Sequence, residues 1–393
     1  MAYSFESILP PKGVSKDDWV NHGWQFKNSL KRKEDFESYF SLSSDERLGF
    51  DLKQFQIRVT PYYVQLAAGE SERGPIRQIL MPSAQEANEG IQQMLDPLGE
   101  RKKENHSAAR IIHRYPDRCL FLVTDFCSVY CRYCTRKHFT GKEQFLPKES
   151  EYQESLNYIR KTPKIKEVIL SGGDPLTLSN EKLDKILFDL RSIDHVELIR
   201  IGSRIPVVNP MRVDQGLVEL FRKHKPVYLM THFNHPKELT AESAKALELV
   251  VDHGTPVFNQ LVLLNGINNH PAIIYALSRR LLYLRVKPYY MFQCDPSMGT
   301  DHLRTNYQQS RQILDDLWGK ASGLATPGLS LDIPDGGGKA GYSPNFVQSE
   351  IADTISFKGW DGVEAQYVSP PMETMQRPQD LESYIDEWRL IDS

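Results

Sequence analysis

Cys127-Ser-Val-Tyr-Cys131-Arg-Tyr-Cys134 is the stretch that decides how this chain is interpreted, with three thiols at the spacing C-x3-C-x2-C. Cysteine thiolates are the usual ligands of iron–sulfur clusters, and a cubane cluster holds four irons. Three closely spaced cysteines can therefore ligate three irons and leave the fourth open to a small molecule. A zinc site needs a fourth Cys or His in a closed shell, and the nearest candidate, His138, completes no common zinc pattern. The spacing favours an iron–sulfur cluster.

The composition is that of an ordinary globular enzyme, with 393 residues of which 40% are hydrophobic and 25% charged. The formal net charge of −3 argues against nucleic acid or a membrane as the main partner. The five cysteines are too few and too unevenly spaced for a disulfide framework, which indicates a reducing compartment. The first residues lack the apolar stretch of a signal peptide, and no apolar run has the length of a membrane span. We therefore expect a cytoplasmic protein.

Residues 1–110 have the pattern of short helices joined by polar connections, without a buried-strand pattern. Ser15 followed by Asp17 and Asp18 indicates a helix start with acids in its first turn. Ser83 with Glu86 three residues later has the spacing of a capping box. We expect a mostly helical N-terminal region.

Short apolar or β-branched runs then recur, each followed by a polar helical stretch. The six runs are Cys119–Asp125, Glu167–Leu170, Glu197–Ile201, Val227–Thr231, Val257–Leu264 and Leu284–Phe292. Strands that alternate with helices indicate parallel βαβ units, and six units predict an α/β fold with an incomplete, TIM-like (β/α)6 barrel. We expect the barrel over residues 111–325. A Gly/Pro-rich segment over residues 326–393, ending in an acidic helix near Asp380–Leu390, is expected to follow it.

The chemically distinctive residues fall at or near the carboxyl ends of these runs, where barrels of this type carry their chemistry. They are Cys127 after the first run, Ser171-Gly-Gly-Asp174 after the second, Gly202-Ser-Arg204 after the third, His232 after the fourth, Gln260 within the fifth and Asp295 after the sixth.

Leu331-Asp-Ile-Pro-Asp-Gly-Gly-Gly-Lys339 is the second strong motif. A nucleotide P-loop is excluded, because Ile333 and Ala340 stand where that loop needs Gly and Ser or Thr. Alone, the run indicates only a backbone that approaches something closely and delivers one amine there.

Together, the two motifs resemble those of the lysine 2,3-aminomutase family of radical S-adenosylmethionine (SAM) enzymes. The resemblance extends from about Ile111 to Asn345, with its pieces in the family's order. Those pieces are Arg114–Arg118, Thr124–Cys127, Cys134–Arg136, Ser171–Leu176, Thr231–Pro236, Gln293–Asp295 and the loop that ends at Lys339.

The resemblance implies three cofactors and a role for each matching position. Cys127, Cys131 and Cys134 would ligate a [4Fe–4S] cluster whose fourth iron binds SAM. Lys339 would hold pyridoxal 5′-phosphate (PLP) covalently, in a dry site that lowers the pKa of its amine. The PLP phosphate would be bound by Arg114 and Arg118, for which a local ion pair with Asp117 is the alternative. The implied SAM contacts are Ser171, Gly172, Gly173, Asp174, Ser203, His232 and Gln260.

The implied substrate residues are Arg136, for the α-carboxylate, and Asp295 with Asp332, for a distal ammonium group. Two acids that face one cavity repel each other unless a cation lies between them, so they disfavour an acidic or neutral substrate. Lysine fits best, although arginine and ornithine are also basic. The implied reaction interconverts L-α-lysine and L-β-lysine. A 5′-deoxyadenosyl radical abstracts hydrogen from Cβ and the amino group migrates to that carbon. Supply of β-lysine for modification of elongation factor P is one possible fate of the product.

The sequence departs from the family pattern at two places. Some members have a structural zinc site made by a mid-chain Cys and a C-terminal Cys cluster. Here Asn268-Asn-His270 stands at the first position and no cysteine follows Cys294, so we expect that zinc to be absent. Asp335 also stands where the family commonly has Gly.

A different class of function also remains open, namely a non-catalytic iron–sulfur or zinc module for electron transfer or binding. A cluster used only for electron transfer usually has four cysteine ligands and needs no PLP lysine. For the enzyme, the resemblance implies an external electron donor such as flavodoxin or ferredoxin, and a homo-oligomer.

Overall fold

The structure is a computed structural model that describes residues 3–88, 90–105, 107–137, 140, 146–382, 384–385 and 388–389. His138 lies outside these ranges, as does part of the acidic helix expected near residues 380–390. The strands are β1 (Ile111–Tyr115), β2 (Arg118–Thr124), β3 (Glu167–Gly172), β4 (Leu198–Gly202), β5 (Val227–Thr231), β6 (Val257–Leu263), β7 (Lys287–Gln293), β8 (Gly328–Asp332), β9 (Lys339–Tyr342), β10 (Val347–Ile351), β11 (Thr354–Lys358) and β12 (Glu364–Val368).

The α-helices fall into an N-terminal set and a set that alternates with the strands. The first set is α1 (Lys16–Trp19), α2 (His22–Lys27), α3 (Lys33–Glu37), α4 (Ser44–Leu52), α5 (Pro61–Ala67) and α6 (Pro75–Leu80). The second set is α7 (Glu149–Arg160), α8 (Asn180–Arg191), α9 (Ile205–Val208), α10 (Gln215–Lys223), α11 (Ala241–Asp252), α12 (Pro271–Tyr283) and α13 (Tyr307–Leu317).

One nine-stranded sheet contains β1 to β9 in chain order. Strands β2 to β8 are all parallel to their neighbours, and a helical crossover separates each successive pair. The antiparallel strands β1 and β9 lie at the two ends of the order. The predicted incomplete barrel is therefore confirmed. The parallel series has one more strand than predicted, because β8 lies in the segment that was expected to be irregular.

Side chains alternate between the two faces of each barrel strand, as the period of a strand requires. In β3, Val168 and Leu170 are fully buried in the core, whereas Ile169 and Ser171 line a central cavity. The following helix buries one stripe with the spacing i, i+3, i+4, i+7, formed by Leu183, Ile186, Leu187 and Leu190. The core thus lies between sheet and helices, and the cavity lies on the other face of the sheet.

The N-terminal helices pack against the barrel through buried aromatic residues. Tyr62 and Tyr63 in α5 are fully buried. The hydroxyl of Tyr63 donates to Glu238, and that of Tyr62 lies 2.5 Å from the hydroxyl of Thr240. These bonds join segments more than 170 residues apart in the chain, as the separations of 175 and 178 residues show.

The two predicted helix starts have different outcomes. Ser15 caps α1 as expected, since its hydroxyl accepts a hydrogen bond from the amide of Asp18 at 3.1 Å. The capping box at Ser83 was wrong. Ser83 caps a short 3-10 helix through the amide of Gln85, and the carboxylate of Glu86 instead binds Arg132. A buried guanidinium is a stronger partner for this carboxylate than its own helix terminus.

The C-terminal part contains strands where a Gly/Pro-rich irregular segment was expected. Strands β10, β11 and β12 form a separate antiparallel sheet. Several of its large apolar side chains are exposed, among them Ile351, Tyr367 and Val368. The division of the chain at residues 110 and 325 stays a prediction. Within the described ranges, none of the helices has the length and apolar character needed to cross a lipid bilayer.

Candidate active site

A cavity of about 640 Å³ lies inside the incomplete barrel. Every residue that the sequence singled out for a site lines it. They are Arg114, Arg118, Cys127, Cys131, Cys134, Arg136, Ser171, Gly172, Gly173, Asp174, Ser203, His232, Gln260, Asp295, Asp332 and Lys339. The lining also contains polar and aromatic residues to which the sequence analysis gave no role, among them Glu100, Tyr133, Arg200 and Arg204.

The three thiols of the cysteine motif lie in the loop that follows β2. Burial, together with the charges of Asp174 and the other thiols, raises the pKa of Cys127 well above its usual range. Burial likewise raises the pKa of Cys134 to about 11, and its sulfur accepts a hydrogen bond from the amide of Arg136 at 3.4 Å. All three are free thiols. In the described ranges, no group of three or more His, Cys, Asp or Glu side chains is arranged to hold a single metal ion. A cubane cluster does not need such a group, because it binds each thiolate through a different iron.

The glycine pair Gly172–Gly173 lets the end of β3 lie directly against the backbone that leads into Cys127. The amide of Gly173 donates to the carbonyl of Thr124 at 2.6 Å. A Cβ on Gly173 would come within 2.1 Å of the Phe126 carbonyl oxygen, and Gly172 has a φ of +113°. Larger residues at either position would push the two segments apart.

Asp174 acts as an internal acceptor beside the cluster loop. Its buried carboxylate accepts hydrogen bonds from the Ser203 hydroxyl at 2.7 Å and from the Arg204 amide at 2.8 Å. Burial raises the pKa of Asp174, and these donors act against that shift. The carboxylate thereby fixes the start of the segment that follows β4. Contacts of Asp174 and Ser203 with SAM stay a prediction.

His232 follows β5 and stacks on Tyr133, with ring centroids 5.6 Å apart. The Tyr133 hydroxyl lies 2.9 Å from its Nε2 atom. Burial, and then the charge of Arg204, lowers the pKa of His232 to about 3, so the imidazole is neutral near pH 7. Gln260 lines the same cavity from β6. A neutral ring and an amide offer hydrogen bonds without adding charge to the cavity.

Lys339 and Asp332 face each other across the β8–β9 hairpin, where they are paired in register. The Lys339 amine lies 2.8 and 2.9 Å from the two carboxylate oxygens of Asp332. It also lies 4.6 Å from the ring centroid of Phe292. The Lys339 side chain is 33% exposed, so this site is wetter than the dry pocket expected from the sequence.

Arg114 and Arg118 have different surroundings. The guanidinium of Arg118 pairs with Asp117 at 2.6 Å, as in the alternative interpretation, and lies 3.9 Å from the Tyr115 ring centroid. Nη2 of Arg114 and the Tyr115 hydroxyl are buried, and neither finds a hydrogen-bond partner within the described ranges. A Cβ on Gly338, the residue before Lys339, would lie 3.7 Å from that hydroxyl. The residues of both unpartnered donors therefore line the same cavity as Lys339, and the Tyr115 hydroxyl lies beside the lysine loop.

Arg136 adjoins the cysteine motif and is engaged by Glu100. Its Nε and Nη2 atoms donate to the two carboxylate oxygens of Glu100 at 2.7 and 2.5 Å, and Nη1 donates to Ser171 at 2.9 Å. Burial acts to lower the pKa of Arg136, but Glu100 together with the thiols of Cys134 and Cys127 outweighs it and the net shift is upward. Arg136 is therefore a permanent cation in the geometry that binds a carboxylate.

Asp295 is a carboxylic acid of this cavity with a strongly raised pKa. Burial, and then the charge of Asp332, raises its pKa to about 7. Glu100 adds to this shift, while Lys339 and Arg304 act against it. Asp295 and Asp332 are thus close enough to repel each other, and Asp295 is only partly ionised near neutral pH.

The sequence interpretation missed Glu100 and Arg200, which belong to no recognisable spacing, and it placed Arg204 at the carboxyl edge of the sheet without giving it a role. Arg200 pairs with Glu167 on the neighbouring strand inside the cavity. The available signal for Arg204 was its position, two residues after β4 at the carboxyl edge of the sheet. Glu100 lies in a loop outside the predicted barrel and carried no such signal.

Comparison with known proteins gives this architecture a family. The profile of the Radical SAM superfamily matches residues 121–275, and the profile described as Lysine-2,3-aminomutase matches residues 314–388. An L-lysine 2,3-aminomutase of Fusobacterium nucleatum is 41% identical over 373 residues, which cover 94% of this chain and 87% of that protein. The chain belongs to the lysine 2,3-aminomutase family.

Two further relatives show the range of named substrates. An L-lysine 2,3-aminomutase of Clostridium subterminale is 40% identical, over 91% of this chain and 86% of that protein. A glutamate 2,3-aminomutase of Clostridioides difficile is 36% identical, over 91% of this chain and 84% of that protein. The substrate of a family member must therefore be argued from the charges in its cavity.

Lysine 2,3-aminomutases use a [4Fe–4S] cluster, SAM and PLP, and the residues present here fit all three. Three free thiols in one loop suit iron–sulfur chemistry. The side-chain-free turn at Gly172–Gly173 lines the same cavity as those thiols. For PLP, the amine of Lys339 and the unpartnered donors of Arg114 and Tyr115 offer a nucleophile and an anion site.

Proposed function

We propose that this member of the lysine 2,3-aminomutase family interconverts L-α-lysine and L-β-lysine, with PLP on Lys339 and SAM on a cluster held by Cys127, Cys131 and Cys134. One observation supports the substrate most directly. The cavity that holds these groups has a fork-shaped cation, Arg136, beside the thiols and a pair of acids, Asp295 and Asp332, beside the lysine loop.

The charges match an amino acid with a terminal cation. Asp332 already binds one ammonium group, that of Lys339, at 2.8 Å, which shows what its position can hold. Asp295 lies close enough to Asp332 for the two carboxylates to repel each other, so a second ammonium group between these carboxylates is stabilised by both of them. A glutamate side chain would add a further carboxylate to this pair. Lysine therefore fits and glutamate does not.

The residues divide the work of positioning. When bound, reduced SAM would supply a 5′-deoxyadenosyl radical and PLP would carry the migrating amino group. Arg136 binds the substrate α-carboxylate through its fork, while Asp295 and Asp332 hold the distal ammonium group. The substrate is thereby gripped at both ends, which fixes Cβ relative to the cluster side of the cavity. His232 stays neutral and so adds no competing charge.

The test is an anaerobic assay of reconstituted protein with PLP, SAM and a reductant, in which L-lysine competes with arginine, ornithine and glutamate. Mass spectrometry should show β-lysine as the main product. The variants Cys131→Ala and Lys339→Ala should abolish it. Lys358→Ala removes an exposed lysine of β11 and is the control that should retain activity. Cleavage of SAM without turnover of lysine would show that the substrate is wrong while the cluster assignment stands.

We also infer three properties of the protein in the cell. The chemistry begins with one electron, which an external donor such as flavodoxin or ferredoxin can deliver. The five free thiols favour a reducing cytoplasm. The exposed apolar side chains of β10–β12 favour a homo-oligomer. Sedimentation velocity of the wild-type protein and of the variant Tyr367→Asp, which changes an exposed residue of β12, tests the homo-oligomer. A wild-type protein that is only monomeric would contradict the homo-oligomer.

A further inference from the structure

We propose that Arg204 tunes the reduction potential of the cluster by donating a hydrogen bond to the sulfur of Cys131, and that Glu238 holds it in that position. Nη1 of Arg204 lies 2.8 Å from Sγ of Cys131. Within the described ranges, no other side chain donates a hydrogen bond to a sulfur of the cysteine motif; the hydrogen bond to Cys134 comes from the backbone amide of Arg136. The proposal needs only the cluster assignment of the proposed function and not its substrate.

Both terminal nitrogens of the Arg204 guanidinium are engaged, whereas its buried Nε has no hydrogen-bond partner within the described ranges. Its residue is only 9% exposed, and its amide donates to Asp174 at 2.8 Å. Nη2 donates to Glu238 at 2.6 Å and to the Tyr63 hydroxyl at 2.8 Å. The guanidinium therefore cannot swing away from Cys131 without breaking buried hydrogen bonds.

Glu238 is fixed in turn. It is fully buried, and its Oε1 accepts from Tyr63 at 2.7 Å as well as from Arg204. Its Oε2 accepts from the backbone amides of Asn234 and His235 at 2.5 and 3.0 Å. Four donors leave this carboxylate one orientation, so Glu238 fixes the position of Arg204 against Cys131.

The effect on the reduction potential follows from the order of the charged groups, in which the Arg204 guanidinium lies between the Cys131 thiolate and the Glu238 carboxylate. Reduction of the cluster adds one electron, taken from the external donor, and makes the cluster and its thiolates more negative. A cation that touches a thiolate stabilises the reduced form more than the oxidised form, which raises the reduction potential. Glu238 acts in the opposite sense, but it lies on the far side of the guanidinium. Arg204 therefore makes the cluster easier to reduce, and Glu238 moderates the effect.

A purely structural role is the alternative, since Arg204 also joins α5 to the segment after β5 through Tyr63 and Glu238. The two roles differ in what they change. Loss of a structural link lowers stability or cluster content. Loss of a tuning cation shifts the potential of clusters that are fully assembled.

The experiment is potentiometric titration of the reconstituted holoprotein without SAM, followed by electron paramagnetic resonance of the reduced cluster. Arg204→Gln should shift the midpoint potential to more negative values, and Arg204→Lys should shift it less. Glu238→Gln should shift it in the opposite, positive direction. The matched control is Arg77→Gln, which removes a buried arginine paired with Glu46 at 2.7 Å, and it should leave the potential unchanged.

Cluster content, from iron and sulfide analysis, separates assembly from tuning. If Arg204→Gln assembles no cluster, the shift of the midpoint potential in Glu238→Gln decides whether the proposal holds. A wild-type potential in an assembled Arg204→Gln protein overturns the proposal, and so does a negative or absent shift in Glu238→Gln. The substrate question stays separate, because shifted potentials stand even if lysine is not turned over. Turnover of lysine with unshifted potentials overturns the role of Arg204 alone.

Discussion

Glu100 occupies the guanidinium fork of Arg136, with both carboxylate oxygens bonded at 2.7 and 2.5 Å. Arg136 is the residue proposed to bind the substrate α-carboxylate through the same fork. Glu100 is therefore an internal competitor for the substrate, in the geometry that an amino-acid carboxylate would adopt. The same loop is tied to the lysine motif, since the amine of Lys102 donates to the carbonyl of Asp335 at 2.7 Å.

Removing the charge of Glu100 should strengthen substrate binding. In Glu100→Gln, the amide binds Arg136 less strongly than the carboxylate does, so the substrate displaces it at lower cost. We expect KM for lysine to fall about 10-fold, which corresponds to about 1.4 kcal/mol. Steady-state kinetics of the holoenzyme measures it. Glu104→Gln changes an exposed acid of the same loop and should not alter KM. A higher KM in Glu100→Gln would mean that Glu100 supports binding.

Asp295 should determine the preference for a charged side chain. Asp295→Asn removes one of the two acids that bind the distal ammonium group, but it leaves the size of the cavity almost unchanged. We expect the ratio of kcat/KM for lysine over norleucine, an uncharged analogue, to fall about 100-fold, as for loss of one partner in a buried charge pair. Asp301→Asn is the control, because Asp301 pairs with Arg304. Equal losses with both substrates would instead indicate a positional role.

The raised pKa of Asp295, about 7, makes lysine binding depend on pH. The ammonium group binds the ionised carboxylate, so affinity should increase as pH rises through about 7 and level off above it. Because the folded pKa exceeds the unfolded value of about 3.9, Asp295 stabilises the fold less as pH rises between the two values. Calorimetry of lysine binding to the holoenzyme without reductant measures the first effect. Asp295→Asn should lose it, and an unchanged profile in that variant would assign the dependence to another group.

The predictions made from sequence succeeded where the signal was local. The spacing of the thiols and the apolar runs are properties of short segments, and the strand at Val227–Thr231 was predicted with its exact bounds as observed. The strands from β8 onward were missed because their Gly-rich surroundings hide them and pairing, not local preference, creates them.

The structure brings the predicted site residues into one cavity, but the sequence did not predict how they pair. Lys339 and Asp332 were assigned separate roles, yet register across a hairpin makes them partners. Glu100 binds Arg136 across 36 positions in the chain, and Arg204 binds Cys131 across 73. Such contacts depend on how loops close over the barrel, which no periodicity in the sequence encodes.

Arg132 lies inside the cysteine motif and forms a buried ion pair with Glu86 of the N-terminal region, which predicts a link between stability and cluster retention. Nε of Arg132 donates to Glu86 at 2.7 Å, and Nη2 donates to its second carboxylate oxygen. The two side chains are only 3% and 2% exposed, so water cannot replace a lost partner.

Glu86→Gln leaves the guanidinium of Arg132 buried without a counter-charge. We expect a loss of about 3–5 kcal/mol in the free energy of unfolding, measured by urea denaturation of the cluster-free protein. Because Arg132 directly follows Cys131, the reconstituted variant should also lose iron faster to a chelator. Glu46→Gln breaks another buried pair of the N-terminal region, with Arg77, and should lower stability without faster iron loss. Equal iron loss in both variants would show that the N-terminal region stabilises the fold but does not specifically anchor the cluster loop.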